Sequence, residues 1–311
     1  MNRRRAKKER VVLPLSKALL YIFLSTACIS GVVTLGWLYY LHIIGSRMKS
    51  DQYLITTLIQ KASTKDSLAA PMLAELLELS YDNPTNIYLF DGDQAQKRLL
   101  ASPVIAKAVV NEIYPNSVRV DYTLRTPVAY LYDWSNTALD ENGVAFPVEP
   151  FYELQTLPEI ILGLPHEKVE GYGEVPWGRV YGGEKGLLAL ELLKELRGRF
   201  DPKAARVKFV DVSRVDHEQY GTREIVVGLE ESLRGVYQDD SLFLIVSRTL
   251  RLPVKEYKKA IENYVELKKH LDKKNRSTTI MVPENRSVRP SAETIIDLRI
   301  PEQAFTQETY N

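Results

Sequence analysis

The sequence of 311 residues has a single cysteine, Cys28, and four histidines, His42, His166, His217 and His270. One cysteine rules out an internal disulfide, so whatever folds here is held by its core and is not a small stapled secreted module. The histidines are far apart, and three of them sit in polar stretches, which suits solvated side chains rather than metal ligands. There is no Gly-x-Ser-x-Gly elbow and no His-Glu-x-x-His, which removes common hydrolase and zinc-protease signatures. Gly182-Gly183-Glu184-Lys185-Gly186 lacks the Lys-Ser/Thr ending of a phosphate loop and reads as a loop before a helix. No catalytic residue, cofactor or metal site is expected.

A local lack of charge says more. From Ala18 to Ser46 there is no Asp, Glu, Lys or Arg, and Lys17 and Arg47 bracket the stretch. As a helix at ~1.5 Å per residue, Leu19 to Leu41 alone reaches about 34 Å, enough for a hydrocarbon core of roughly 30 Å. One transmembrane helix is expected over 18–46. Residues 1–17 carry seven basic side chains against one acid, Glu9, and a short basic flank stays in the cytoplasm. The bulk then lies outside the cytoplasm, as in a single-pass type II protein. Tyr21 at one end and Trp37, Tyr39 and Tyr40 at the other suit the two interfaces, with His42 at the outer edge. A cleaved signal peptide needs a shorter apolar run and a small-residue site, which Ser46-Arg47-Met48 does not resemble. Since the whole chain carries +1, residues 18–311 are mildly acidic and give no reason to propose a nucleic-acid partner. The basic tail 1–17 reads as an orientation signal with attraction to membrane lipid.

After the span, Tyr53 to Ile59 reads as a strand and Lys61 to Asp66 as a loop. Leu68, Met72, Leu73, Leu76, Leu77 and Leu79 fall at helical spacing, and Asp82-Asn83-Pro84 breaks that helix. Asp91-Gly92-Asp93 forms a turn before a second short helix, Gln94 to Leu100, which Asp93 is placed to cap. Val104 to Ile113 and the alternating Val118, Val120, Tyr122 and Leu124 read as two strands. Further on, Asn142-Gly143 signals a two-residue hairpin turn, in which both positions need positive φ. Arg206–Val212, Arg223–Leu229 and Ser241–Val246 are β-rich runs. A helix over Glu184–Arg197 carries Leu187, Leu188, Leu192 and Leu196 on or near one face, with Gly198 to stop it. A second runs from Val254 to Leu271 with Val254, Tyr257, Ile261, Tyr264 and Val265 inward and its lysines outward. Asp272 to Ser291 is a polar loop, Thr294 to Ile300 a last strand forming a sheet edge, and 301–311 a flexible tail. The fold class is α+β: a single transmembrane helix, a small β-α-α-β-β domain over 50–132, and a larger β-rich domain with two helices over 133–300.

The residues of the small domain carry a resemblance. Pro103-Val104, Ala108-Val109-Val110, Tyr114-Pro115-Asn116-Ser117-Val118-Arg119-Val120 and Arg125-Thr126-Pro127-Val128-Ala129 resemble the second half of a POTRA domain of the FtsQ/DivIB family of bacterial division proteins. Leu139 to Pro147 is similar to the hairpin that opens that family's β domain, Leu157-Pro158 with Leu162-Gly163 to its next element, and Asp297-Leu298-Arg299 to its last strand. Basic tail, span, POTRA domain and β domain follow in the family's order. Three positions depart from its pattern: Leu124 replaces a usual Glu, Pro253 a Gly and Ile300 an aromatic.

The resemblance implies a non-enzymatic scaffold of the bacterial divisome, in the inner membrane at the septum, without cofactors. It also implies that the β domain binds FtsB/FtsL-type single-span partners near its last strand, and that the POTRA domain contacts other division proteins. An exposed edge strand offers unpaired N–H and C=O groups to which a partner segment can add as a further strand. Leu298, Arg299, Ile300 and Phe305 are the expected partner-binding residues, and Arg125, Pro127, Val128 and Ala129 form the POTRA motif. Leu298 has a competing reading as ordinary core. A second hypothesis is a type II glycosyltransferase, with Asp91 and Asp93 holding a divalent metal against a diphosphate and Asn275 and Asn285 as glycosylation acceptors; a turn with a helix cap explains both acids more simply. A third, a POTRA-bearing transport component, is disfavoured by the lack of barrel-like strands.

Overall fold

The computed structural model of the protein describes residues 14–63, 66–153, 155–164, 177–237, 240–277 and 292–310. Residues 1–13, His166, Asn285 and the segment 278–291 lie outside the described residues, and with them most of the basic tail and of the polar loop. Helix α1 (Leu15–Met48) is continuous, with no buried residue. It is the one described helix long and apolar enough to cross a membrane, and its exposure along its length is consistent with a single-pass anchor.

By contacts the chain divides into two compact units, one of residues 1–61, 70–96 and 109–120, the other of 62–69, 97–108 and 121–311. The elements after α1 are β1 (Thr57–Ala62), α2 (Ala70–Leu76), α3 (Gly92–Ala101), β2 (Ile105–Ile113) and β3 (Ser117–Leu124). The three strands form a sheet in the order β1-β3-β2. This is the expected β-α-α-β-β order, and β3 alternates half-exposed and buried residues along its length, as its sequence pattern requires. In the first unit Leu73, Leu77, Ile87 and Val118 are buried. Two local expectations shift. A short 3-10 turn at Asp51–Tyr53 takes the place of the strand's start, so β1 begins at Thr57 and uses Lys61 and Ala62, assigned above to a loop. Asp91, not Asp93, caps α3: its Oδ1 accepts from the Gln94 N–H at 2.9 Å, one turn on, as a cap must.

The second unit holds a nine-stranded mixed sheet in the order β12-β11-β10-β9-β8-β7-β4-β5-β6. Its strands are β4 (Ala129–Leu131), β5 (Thr137–Leu139), β6 (Ala145–Pro147), β7 (Glu159–Ile161), β8 (Ala205–Asp211), β9 (Ile225–Tyr237), β10 (Asp240–Leu252), β11 (Ala292–Asp297) and β12 (Phe305–Tyr310). The helices α4 (Gly183–Arg199) and α5 (Tyr257–Ser277) are crossovers between the parallel pairs β7/β8 and β10/β11. Pairs Lys258–Glu191 and Arg199–Glu262 join the two helices side by side. Their apolar faces meet β8, β9 and β10 in one core that includes Leu192, Leu193, Leu196, Val227, Leu250, Ile261 and Leu298.

Several β-domain expectations are corrected. Between β5 and β6 only Gly143 of the predicted turn has positive φ. The loop is longer than two residues and is organised by Asp140, whose Oδ1 accepts from the N–H groups of Asn142 and Val144 at 2.9 Å each. Gly198 does not stop α4, which runs to Arg199 because the chain's apolar Phe200 packs against the core. Leu187 faces outward while Ala189, Leu190 and Leu193 face in. Helix α5 continues to Ser277, into the stretch read as loop, and Lys268 turns inward to the Glu231 carboxylate at 2.7 Å. The largest correction is at the end. The last strand of the sheet is not 294–300: β11 stops at Asp297, the chain reverses through Glu302 at φ 61°, and Phe305–Tyr310 returns antiparallel as β12. Phe, Tyr and two Thr in six residues favour a strand, and polar side chains between them are no obstacle where one edge faces water.

Candidate partner-binding site

β12 is the outermost strand of the large sheet, paired on one side with β11 from Asp297↔Phe305 to Ala292↔Tyr310. Its other side is a row of main-chain donors and acceptors at a sheet edge, about 20 Å long at ~3.3 Å per residue. Beside the start of this strand lies a groove of about 620 Å³ between the 3-10 turn Tyr220–Thr222, the first turn of α5 and residues 297–301. The groove is apolar at Val254 and Leu298 and carries four cations, Arg223, Lys255, Lys259 and Arg299, against the acids Glu256 and Asp297. Tyr220 and Ile300 are 74% and 51% exposed on its walls, and Phe305 is 56% exposed on the neighbouring strand.

An arginine cluster fixes the floor. Glu224, 3% exposed, accepts from Arg251 Nε at 2.7 Å and Arg214 Nη1 at 3.2 Å, with Arg299 Nη1 at 3.4 Å. Arg299 also bonds Asp297 at 2.7 Å and donates to the Gly221 carbonyl at 3.3 Å. Burial alone would raise the Asp297 carboxyl, but the Arg299 hydrogen bonds and the charges of Arg299 and Arg251 outweigh it and hold the group below the usual carboxylate range. Hydrogen bonding to Asp297 raises Arg299 in turn. Three arginines around two carboxylates leave this corner positive, with its guanidiniums oriented before any partner arrives.

The four residues expected to bind a partner separate here. Ile300 and Phe305 are exposed beside one another's segments at the sheet edge, Arg299 is half-buried in the cluster, and Leu298 belongs to the core at 4% exposed. The Leu298 N–H donates to the Arg251 carbonyl at 2.9 Å, which fixes the direction of the chain leaving β11. Sequence reading missed Arg214, Arg223, Glu224 and Arg251, whose only signal was a density of arginine around β-rich runs. The motif residues have structural places. Arg125 donates to the Pro103 carbonyl at 2.9 Å and to Asp140 at 2.7 Å, the Val128 N–H donates to Leu139, and Ala129 is buried in β4. Pro127 needs no donor in the segment between β3 and β4. Asp91 and Asp93 are exposed at the start of α3, and no group of three or more His, Cys, Asp or Glu positioned to hold a metal occurs among the described residues. Nothing in the described residues supports diphosphate chemistry there.

A long apolar helix, a β-α-α-β-β module and a mixed-sheet domain with two crossover helices define a class of α+β protein, consistent with a single-pass membrane anchor. Within that class the match is specific: residues 68–122, from just before α2 into β3, match the family described as POTRA domain, FtsQ-type. The chain therefore contains an FtsQ-type POTRA domain, which supports a cell-division scaffold role. No curated protein matches it.

Proposed function

We propose that the chain is a non-enzymatic, single-span scaffold of the bacterial divisome, with its N-terminus cytoplasmic and its bulk extracytoplasmic at the septum. Its POTRA domain spans 50–132 and contacts other division proteins, and its β domain starts at 133 and carries the partner site. FtsB/FtsL-type partners are recruited by strand addition to β12. The observation that carries this reading is the open edge of β12, with exposed Phe305, beside a groove that pairs exposed Tyr220 and Ile300 with a cluster of cations. Such a surface fits an extended segment bearing acidic and apolar side chains: main-chain bonds give affinity and the groove gives selectivity.

The test is partner capture and septal localisation of full-length variants. Proline at Thr306 and, separately, at Gln307 removes a β12 donor. These neighbours face opposite sides of the strand's ladder, so one substitution weakens the bond to β11 and the other blocks the outer edge. At least one folded variant losing partner capture and septal enrichment supports the proposal, as does loss on Ile300→Asp. Unchanged capture with all three variants folded refutes it.

A further inference from the structure

The C-terminal end of α1 does not leave the membrane as a free tether. Its residues are exposed from Leu19 to His42, after which Ile43 and Ile44 become half-buried, so the module begins to cover the helix there. The Asn86 side chain, 4% exposed, donates to the carbonyls of Arg47 and Met48 at 3.1 and 3.0 Å, closing the helix end. Arg47 donates to the Tyr88 hydroxyl at 2.9 Å and lies 5.9 and 6.0 Å over the rings of Tyr53 and Tyr88. Tyr88 in turn meets Tyr53 edge-to-face and Tyr114 at a tilt, each with centroids 5.2 Å apart.

These positions have a depth. About 20 helical residues cross the hydrocarbon, so counting from Ala18 its far edge falls near Trp37. Trp37 and Tyr40 form a ring pair at 5.8 Å and mark the aromatic belt. Tyr40 is roughly 4.5 Å beyond Trp37 along the helix axis, within a headgroup layer of about 5 to 7 Å, and Ile43, where the module begins, is roughly 9 Å beyond Trp37, just outside that layer. Burial, then Glu112 and Tyr88, raise the Tyr114 hydroxyl pKa, and Tyr40 on the belt adds the smallest contribution, so Tyr114 reaches back toward the belt. It is 52% exposed, an amphipathic ring beside the bilayer surface with its hydroxyl donated to Glu112 at 3.2 Å.

We infer that the first unit is seated on the lipid surface, with the Tyr114 ring in the headgroup layer of the leaflet from which α1 emerges, held there by the Arg47–Tyr88–Tyr53 clasp. The occupant of this face is lipid. Arg47 and Lys49 are balanced nearby by Asp51 and Glu112, so the seat is aromatic rather than ionic and holds on a zwitterionic headgroup. This rests on reading α1 as a membrane span and is independent of the partner site.

The test uses the full chain in phosphatidylcholine nanodiscs with no other protein. A nitroxide at Tyr114→Cys, in a Cys28→Ala background, is compared with one on native Cys28 and one at exposed Lys203→Cys. The expected result is a collision ratio of oxygen to a water-soluble nickel chelate at 114 between those of the other two. In the unaltered chain, a phosphatidylcholine with a photoreactive headgroup should label the tryptic peptide 108–119. A label at 114 as water-accessible as that at 203, with peptide 108–119 unlabelled while Cys28 reads as lipid, overturns the seat. A water-exposed Cys28 would overturn the span itself, and the seat with it.

Discussion

Removing one carboxylate should cost the second unit a large share of its stability. Glu231 on β9 is fully buried and accepts from Arg248 Nη1 at 2.5 Å, the Tyr264 hydroxyl at 2.8 Å and Lys268 Nζ at 2.7 Å. The geometry follows from register. Glu231 faces Val246 and Arg248 faces Leu229, so acid and base are diagonal neighbours on one sheet face. Tyr264 and Lys268, four apart on α5, reach the same point from above. Burial first, then the Glu231 charge, pushes the Tyr264 hydroxyl far above its ordinary range, so it remains a proton donor at every accessible pH. In Glu231→Ala, Arg248 at 2% exposed keeps its charge and loses the Glu231 carboxylate. Breaking a buried pair in this way costs about 3 to 5 kcal/mol, which for a unit of this size lowers Tm by roughly 6 to 20 °C. Thermal unfolding of the full chain in detergent, followed by tryptophan emission, measures it. The triple variant Glu231→Leu, Arg248→Met, Tyr264→Phe should recover most of the loss, because apolar groups of similar size need no partner. A cost below about 1 kcal/mol for Glu231→Ala, or no recovery in the triple variant, would refute the account of the network.

Gly228→Ala should cost about 1 to 3 kcal/mol, because its Cβ would overlap the Phe209 ring lying across the bulge at Val207/Phe209; Phe209→Ala in the same chain should relieve most of that in a double-mutant cycle. Asp140→Ala removes the Arg125 ion pair and the acceptor for two loop N–H groups, and should cost about 2 to 4 kcal/mol against a smaller loss for Asp140→Asn; equal losses would contradict the ionic part. Asp297 has a depressed pKa when folded, so its contribution is present above the unfolded value and is lost as pH falls through the folded one. Wild type and Asp297→Asn should therefore differ in unfolding stability at pH 7 and converge below about pH 4, and a gap constant to pH 3 would contradict the clasp with Arg299.

Where the sequence was legible, one physical signal dominated. The uncharged run Ala18–Ser46 could be little else than a long exposed apolar helix, and Val118 to Leu124 alternates so strictly that β3 follows from it. The errors occurred where two weak signals competed. Glycine at 198 is permitted inside a helix at a cost near 1 kcal/mol, and burial of Leu193 and Leu196 outweighs it. Asn142 stays out of the positive-φ region because Asp140 supplies the turn's hydrogen bonds from its side chain. The Glu231–Arg248 network left no local trace, since a strand pattern does not reveal which charged residues face inward until register pairs them. β12 was hidden by Pro301 and by its polar residues, although those residues are what an exposed edge strand requires.

That last point changes what an interaction at this end of the sheet can be. With β11 as the edge, Leu298, Arg299 and Ile300 would all have met a partner, and no substitution there could separate binding from folding. With β12 outside it, Leu298 is tied to the core and to Arg251, while Ile300, between β11 and β12, and Phe305, on β12 opposite Asp297, have exposed side chains. Substituting Leu298 should lower stability and partner capture together, by about 2 to 5 kcal/mol of stability for Leu298→Ala. Ile300→Asp and Phe305→Ala should leave Tm within a few degrees and act on capture alone. A Phe305→Ala chain that unfolded as readily as Leu298→Ala would mean that β12 closes the core, and that the sheet's last strand is structural rather than a template for a partner.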